Sequence, residues 1–331
     1  MFLPEFPRAK LAALPTALDT APRLSRELGV NLHLKRDDNT GLALGGNKAR
    51  KLEYLAGEAL ALGCDTLITT GAPQSNHCRM TAAAAAKLGL DCHLVFNSSE
   101  IEVTQGNVLL DIMLGAELHY IGAGENAPAP DAFMADLAAE LSRQGKTPYV
   151  VPLGGSNPLG ALGYIRGVWE LMGQAEAQDI RFDYVVHASG SAGTQAGLLA
   201  GIKYFSLPCT LLGISVSRPA ARLSAEVLAL CNDVLSKAGS GKVVTATDVR
   251  VYDQYVGAGY GVPTELSSEA IGLFARLEGV LLDPVYTAKG AAGMVDLIRR
   301  GVIERGSRVL FWHTGGAPAL FADFDKHWGK K

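Results

Sequence analysis

"DTLITTGA" (65–72) runs through "PQSN" into "HCRMTAAAAAKLG" (77–89), and this join decides the fold. The first stretch is a short apolar, β-branched run bounded by turn residues, which reads as a buried strand. The second is alanine-rich and free of proline, which reads as a packed helix. A strand feeding a helix through a short polar turn is half of a βαβ unit, and repeated units of that kind build a parallel sheet.

The alternation continues in both directions. "DCHLVF", "ELHYIG", "PYVVPLGG", "FDYVVHASG", "TLLGISVS" and "SRVLFWHTGG" read as strands. "GNVLLDIMLGA", "DAFMADLAAELSRQG", "GALGYIRGVWELMGQ", "TQAGLLAGIKYF" and "SSEAIGLFARLEG" read as helices. The expectation is an α/β protein with open twisted sheets. Surface loops are expected at 122–131 and 237–248, where glycine, proline and small polar residues cluster.

At 331 residues the chain has room for one large or two medium domains. Its net charge of −3 offers no broad attraction to nucleic acid or an anionic membrane. The start lacks an apolar signal segment, and no apolar run is long enough to span a bilayer. Five scattered cysteines without a C-x-x-C pair read as free thiols in a reducing cytoplasm. The histidines show no H-E-x-x-H or related spacing, so no metal site is expected.

The glycine turns "GGNK", "GAPQSNH", "LGGSN", "SGSAGT" and "HTGG" mostly follow a strand and precede a helix. Ligands of open α/β sheets bind beyond the carboxyl ends of the strands, where helix N-termini offer N–H groups to anions. Several such turns around one crevice imply an anionic ligand. The familiar glycine-rich functions do not fit. After Gly41 and Gly46 the Walker lysine is one residue late and its hydroxyl partner is missing. Neither "SGSAGTQAG" nor "GAGYG" has dinucleotide spacing. "GGSNP" has Pro158 where a nucleophile elbow needs glycine.

Lys48, directly after "GGN" at a helix start, remains to be explained as a phosphate clamp, a covalent attachment point or a surface residue. A lysine amine forms a Schiff base with an aldehyde such as pyridoxal phosphate. That cofactor also needs a phosphate cradle, partners for its phenolic oxygen and ring nitrogen, and a group over its ring.

Seven ordered motifs, "KRDD" (35–38), "GGNKARKLE" (45–53), "GAPQSNHCR" (71–79), "GSAGTQAG" (190–197), "GAGYGVP" (257–263), "LLDPVYTAKG" (281–290) and "HTGGAPALF" (313–321), resemble the D-cysteine desulfhydrase and 1-aminocyclopropane-1-carboxylate deaminase family. These are pyridoxal-phosphate enzymes of the tryptophan-synthase β-type fold, fold type II, and the resemblance runs from about residue 7 to 322. It implies a large cofactor-binding domain (1–48 and 163–331), a smaller inserted α/β domain (49–162), the cofactor between them, and a homodimer.

The resemblance makes Lys48 the Schiff-base lysine and Asn76 the partner of the phenolic oxygen. Gly190, Ser191, Ala192, Gly193 and Thr194 would hold the phosphate, with Lys51 adding charge or forming a surface ion pair. Gln74, Ser75 and Asn76 would meet the substrate. Tyr286 would stack on the ring and Tyr260 would reach the substrate. The deaminase branch has glutamate after "DPVY"; here Thr287 stands there, and Thr287 and Thr314 match the desulfhydrase branch at the ring nitrogen. The implied reaction is α,β-elimination on a small amino acid, D-cysteine giving pyruvate, ammonia and hydrogen sulfide, with Lys48 or Ser75 taking the α-proton. L-cysteate sulfo-lyase is the rival, with His77, Arg79 and His313 as candidate cations for a sulfonate. Deamination of the cyclopropane substrate is a weaker reading, and a non-catalytic cofactor- or amino-acid-binding role is the reading from outside catalysis.

Overall fold

The computed structural model describes residues 4–124 and 127–322. In chain order the elements begin β1 (Leu18–Thr20), α1 (Pro22–Leu28), β2 (Asn31–Arg36), α2 (Lys48–Ala61), β3 (Thr66–Gly71) and α3 (Asn76–Leu88). β4 (Asp91–Phe96), α4 (Gly106–Met113), β5 (Glu117–Tyr120), α5 (Pro130–Arg143), β6 (Pro148–Val150) and α6 (Pro158–Ala177) follow. The remainder is β7 (Tyr184–Ser189), α7 (Gly193–Phe205), β8 (Thr210–Ser215), α8 (Ala220–Lys237), β9 (Val251–Tyr252), α9 (Glu265–Glu278), α10 (Thr287–Arg299) and β10 (Arg308–His313).

Every stretch read as strand or helix above contains an element of that kind. The expected loop at 122–131 gives way to α5 at Pro130, and its residues 125 and 126 lie outside the described residues.

Two sheets form. One has the order β1-β2-β10-β7-β8-β9, parallel except that β1 runs against β2. The other, β5-β4-β3-β6, is parallel throughout. All four strands of the second lie between β2 and β7 in sequence, so it is inserted within the first. The expected boundary at residue 162 falls inside α6, which packs on both α2 and α7.

The larger sheet is covered on both faces, which is why its strands read as continuous apolar runs. Val185, Leu211, Leu310 and Trp312 face one core with α6, α7 and α8. Val186, Leu212, Val309 and Phe311, one residue out of step, face a second core with α1, α9 and α10. No described helix is long and apolar enough to cross a membrane. All five cysteines are free.

Candidate active site

A cavity of about 490 Å³ opens at the carboxyl ends of β3, β7 and β10. Asn47 and Lys48 at the start of α2, Ser75 and Asn76 at the start of α3, and the loop from β7 to α7 all line it. Sequence positions more than 200 residues apart thus meet, as expected for a parallel sheet that binds at its strand ends.

The backbone before Lys48 is strained. Ala43, Leu44, Gly45 and Gly46 have φ of 39°, 68°, 72° and 130° in succession. For the two non-glycine residues this costs on the order of 1–3 kcal/mol each. A Cβ on Gly45 would lie 1.8 Å from the Asp38 carbonyl oxygen, so only glycine fits there. Arg79 holds the loop from α3: its guanidinium donates to the carbonyls of Ala43 and Gly45. The two glycines of "GGNK" therefore turn the chain sharply so that α2 begins with Lys48 on the cavity wall.

Lys48 Nζ donates to Asn47 Oδ1 at 3.2 Å. Burial, reinforced by the Arg79 charge, pushes its pKa down to about 8. The free amine is thereby accessible near neutral pH, the state that attacks an aldehyde.

The β7–α7 loop is built to receive an anion. Ala192 caps α7 with φ of 64°, and Gly193 opens the helix. This left-handed step followed by a helix N-terminus makes a concave set of N–H groups. A Cβ on Gly193 would lie 2.6 Å from Ser156 Oγ and 2.7 Å from Lys51 Nζ. Lys51 Nζ also donates to the Gly154 carbonyl at 3.0 Å, and burial together with Lys48 pushes its pKa well below the usual lysine range. Lys51 is therefore an interior lysine against the loop, not a partner in a surface ion pair. Thr194 Oγ1 accepts from Asn47 Nδ2 at 3.0 Å, tying the loop to the lysine turn. Gly190, Ser191, Ala192 and Thr194 are on the cavity wall.

Ser75 caps α3, its Oγ accepting from the N–H groups of His77 (3.2 Å) and Cys78 (3.3 Å). Those bonds occupy the oxygen lone pairs and leave the hydroxyl proton as the group that can be donated. A Cβ on Gly71 would lie 2.7 Å from Ser75 Oγ, so that glycine makes room for it. Asn76 Oδ1 accepts from Asn107 Nδ2 at 3.1 Å and Arg79 Nη2 at 3.4 Å, which leaves the Nδ2 edge for the cavity. Gln74 is used differently from expectation. Its Oε1 accepts from the Asn107 N–H at 2.8 Å and its Nε2 donates to the Gln105 carbonyl at 3.0 Å. The side chain thus anchors α4 and stands off the cavity wall.

Tyr260 and Tyr286 meet on the wall, hydroxyl to hydroxyl at 2.7 Å with rings edge to face. Burial pushes the Tyr260 phenol up to about 12 and Tyr286 well above the ordinary phenol value, so both are neutral donors. Of the two threonines expected at the ring nitrogen, Thr314 is on the wall and Thr287 is not. Thr287 is fully buried, donating from Oγ1 to Asp283 Oδ1 at 2.7 Å and accepting the Asp283 N–H at 2.8 Å.

The candidate cations for a sulfonate are engaged elsewhere. Arg79 pins the loop, and burial keeps His77 neutral with Nε2 2.8 Å from Thr69 Oγ1. His313 Nε2 lies 3.0 Å from the Leu281 carbonyl, and its Nδ1 accepts the Gly315 N–H at 3.2 Å. Arg218, on the wall, is paired with Glu226.

Several positioning residues escaped the sequence reading. Asp37, completely buried, accepts from Arg50 Nη2 (2.7 Å), Trp312 Nε1 (2.8 Å) and Tyr164 Oη (3.0 Å) behind the lysine turn. "KRDD" marked its place in the chain, but nothing local shows partners so distant in sequence. Ser156, whose Oγ lies 2.9 Å from Ser191 Oγ, and the buried wall residue Ser189 were missed for the same reason.

The donor set fits pyridoxal phosphate: an interior amine, a helix-start anion loop that admits no Cβ at Gly193, an amide edge and an aromatic hydroxyl pair share one cavity. Comparison with known proteins agrees. The family model "Pyridoxal-phosphate dependent enzyme" matches residues 9–315. The chain is 45% identical over 325 residues to the D-cysteine desulfhydrase of Salmonella typhi, covering 97% of each, and equally to that of Salmonella newport. A crystal structure of an ACC deaminase homologue superposes with a TM-score of 0.89 at 40% identity, covering 97% of this chain and 95% of the other. A threonine deaminase from T.th., at 20% identity and TM-score 0.63 over 91% and 92% of the two chains, shares the fold. The cofactor is pyridoxal 5'-phosphate, and the chain belongs to the family of pyridoxal-phosphate-dependent enzymes.

Proposed function

We propose that the protein is a D-cysteine desulfhydrase, a carbon–sulfur lyase acting by α,β-elimination. The observation that carries this reading is the meeting of Lys48, Ser75 and Tyr260 on one cavity whose cations are otherwise paired or spent on structure. The near full-length similarity to D-cysteine desulfhydrases supports the same substrate.

Pyridoxal phosphate, when bound, supplies an electron-withdrawing ring conjugated to the substrate nitrogen. The protein supplies position and proton transfer. The 190–194 loop and Lys51 would hold the phosphate, Lys48 the aldehyde carbon, Asn76 the phenolic oxygen, and Thr314 the ring nitrogen. The loop at 72–76 receives the substrate carboxylate at the positive N-terminal end of α3. Once the substrate amine has displaced it, the freed Lys48 amine, with a pKa of about 8, would accept the α-proton. Ser75, with its lone pairs committed to the helix cap, orients the substrate by donating a hydrogen bond from its hydroxyl and takes no proton itself. The carbon–sulfur bond breaks with its electron pair on sulfur, and the neutral Tyr260 hydroxyl offers the proton that makes the sulfide a better leaving group. Hydrolysis of the remaining three-carbon fragment gives pyruvate and ammonia.

L-cysteate is disfavoured because a sulfonate would need a free cation where Arg79, His77 and His313 are already engaged. The cyclopropane substrate is disfavoured because Asp131, at the start of α5, is the only carboxylate on the wall among the described residues. A homodimer and a cytoplasmic location go with this reading and rest on the family resemblance. Parallel turnover of D-cysteine, L-cysteate and 1-aminocyclopropane-1-carboxylate tests it. Pyruvate with equimolar sulfide from D-cysteine is expected; faster sulfite release from L-cysteate would overturn the assignment.

A further inference from the structure

We propose a transition-metal site on the edge of the smaller sheet, formed by His93, Glu117 and His119 and selective for Zn²⁺ or a similar imidazole-binding dication. His93 lies on β4 directly opposite Glu117 on β5, and His119 is two residues further along β5. All three side chains therefore project from the same face of the sheet. That face is covered further along by α5, whose Phe133 ring packs 5.9 Å from the His119 ring. The cluster sits at the rim of this cover: His93 is nearly buried, His119 is 18% exposed and Glu117 is 66% exposed.

The spacing is that of a coordination polyhedron. His93 Nδ1 and His119 Nε2 are 3.0 Å apart. The Glu117 carboxylate places one oxygen 3.6 Å from His93 Nδ1 and the other 3.5 Å from His119 Nε2. Ligands bound at the usual zinc distances of about 2.0–2.2 Å stand about 3.3–3.6 Å apart in a tetrahedron. The three groups thus define one triangular face, and a dication above it leaves a fourth position open to solvent for water.

The charge arrangement also favours a cation. Two ring nitrogens and a carboxylate set this close together form a donor set that one dication can share. Two imidazoles and a carboxylate suit zinc, cobalt or nickel better than calcium or magnesium. The carboxylate of Glu140, on α5, adds negative charge toward His119. None of the three ligands lines the catalytic cavity, and β5 is an edge strand. The bound ion pins that edge strand to β4 and stabilises the fold. One ligand comes from β4 and two come from a later strand, so no contiguous spacing signals the site.

The test uses the purified holoenzyme, stripped with a chelator and titrated with ZnCl₂ alone by equilibrium dialysis and calorimetry. The expected result is one equivalent bound per chain at micromolar or lower Kd, with a melting temperature that rises with zinc concentration. Co²⁺ should give the visible d–d bands of a tetrahedral site. Glu117→Gln, at an exposed position that folding does not need, should weaken zinc binding at least tenfold while leaving turnover unchanged. His119→Gln should remove binding. The absence of saturable zinc binding in the wild type, or wild-type affinity in Glu117→Gln, would overturn the proposal.

Discussion

Lys51 Nζ donates to the Gly154 carbonyl at 3.0 Å, 103 residues away in sequence, and closes the floor beneath the β7–α7 loop. Without an anion its pKa lies well below the usual lysine value because of burial and the neighbouring Lys48. A phosphate would raise it again, so cofactor binding should take up a proton. We expect the affinity for pyridoxine 5'-phosphate, which has no aldehyde to react with Lys48, to fall as pH rises through the bound-state pKa of Lys51. Lys51→Met should weaken binding by about 10–100-fold, the value of a charge-assisted hydrogen bond, and flatten the pH profile. An unchanged profile in the variant would remove Lys51 from the phosphate site.

Ser75 is both a helix cap and a group on the cavity wall, and Ser75→Ala separates the two. Loss of the cap should cost about 1 kcal/mol, which lowers the melting temperature by a few degrees but leaves the protein folded. Loss of the hydroxyl donor should slow turnover by roughly 10²-fold with the cofactor absorbance retained. A stability loss with unchanged kcat would make Ser75 a cap and nothing more.

Thr287 sits against Asp283, whose carboxylate also accepts the N–H groups of Val285, Tyr286 and Thr287 at 2.8–2.9 Å. Thr287→Glu would set a second carboxylate beside a buried one. It should lower the melting temperature more than Thr287→Gln, by an amount that shrinks at acidic pH as the new carboxyl protonates. Equal stability of the two variants, with a changed cofactor spectrum only in the Glu variant, would instead return Thr287 to the ring nitrogen.

Asp111 is buried with no hydrogen-bond partner on either carboxylate oxygen, and burial raises its pKa to about 8 despite the Arg79 charge. The folded state therefore keeps a proton that the unfolded chain releases near pH 4. Stability from this group is fully present below that pH and is lost progressively as pH rises towards 8. Asp111→Asn should flatten the decline in melting temperature between pH 5 and 9. A parallel decline in the variant would show that Asp111 is not its source.

The local elements were legible because they obey local rules. "SRVLFWHTGG" and "FDYVVHASG" are apolar on both faces, and strands buried on both faces must be so. The places of Lys48 and of the 190–194 loop on one cavity were legible because glycine turns at helix starts gather at the strand ends of a parallel sheet. What stayed hidden depends on contacts between distant segments. Arg79 stood only as a candidate cation for the rival's sulfonate, yet its guanidinium restrains the strained turn at Ala43–Gly46 from another element. Gln74 read as a substrate contact, yet it anchors α4 some 33 residues later. Asp37 and Arg50 form a buried pair whose further partners, Tyr164 and Trp312, lie 127 and 275 residues along the chain from Asp37. No pattern within a helix or strand encodes such meetings.

Every role assigned to this cavity depends on Lys48 being the covalent anchor for pyridoxal phosphate. Borohydride reduction of the holoenzyme followed by peptide mapping identifies the anchoring lysine. Two other interior lysines give the experiment its force: Lys51, and Lys289, whose pKa burial pushes down to about 8 as well. Lys289 is engaged, donating to the carbonyls of Val256 and Gly259 at 2.7 Å each. A single phosphopyridoxyl adduct on Lys48, absent from Lys48→Ala, is expected. An adduct on Lys51 or Lys289, or a reducible adduct that survives Lys48→Ala, would contradict the assignment.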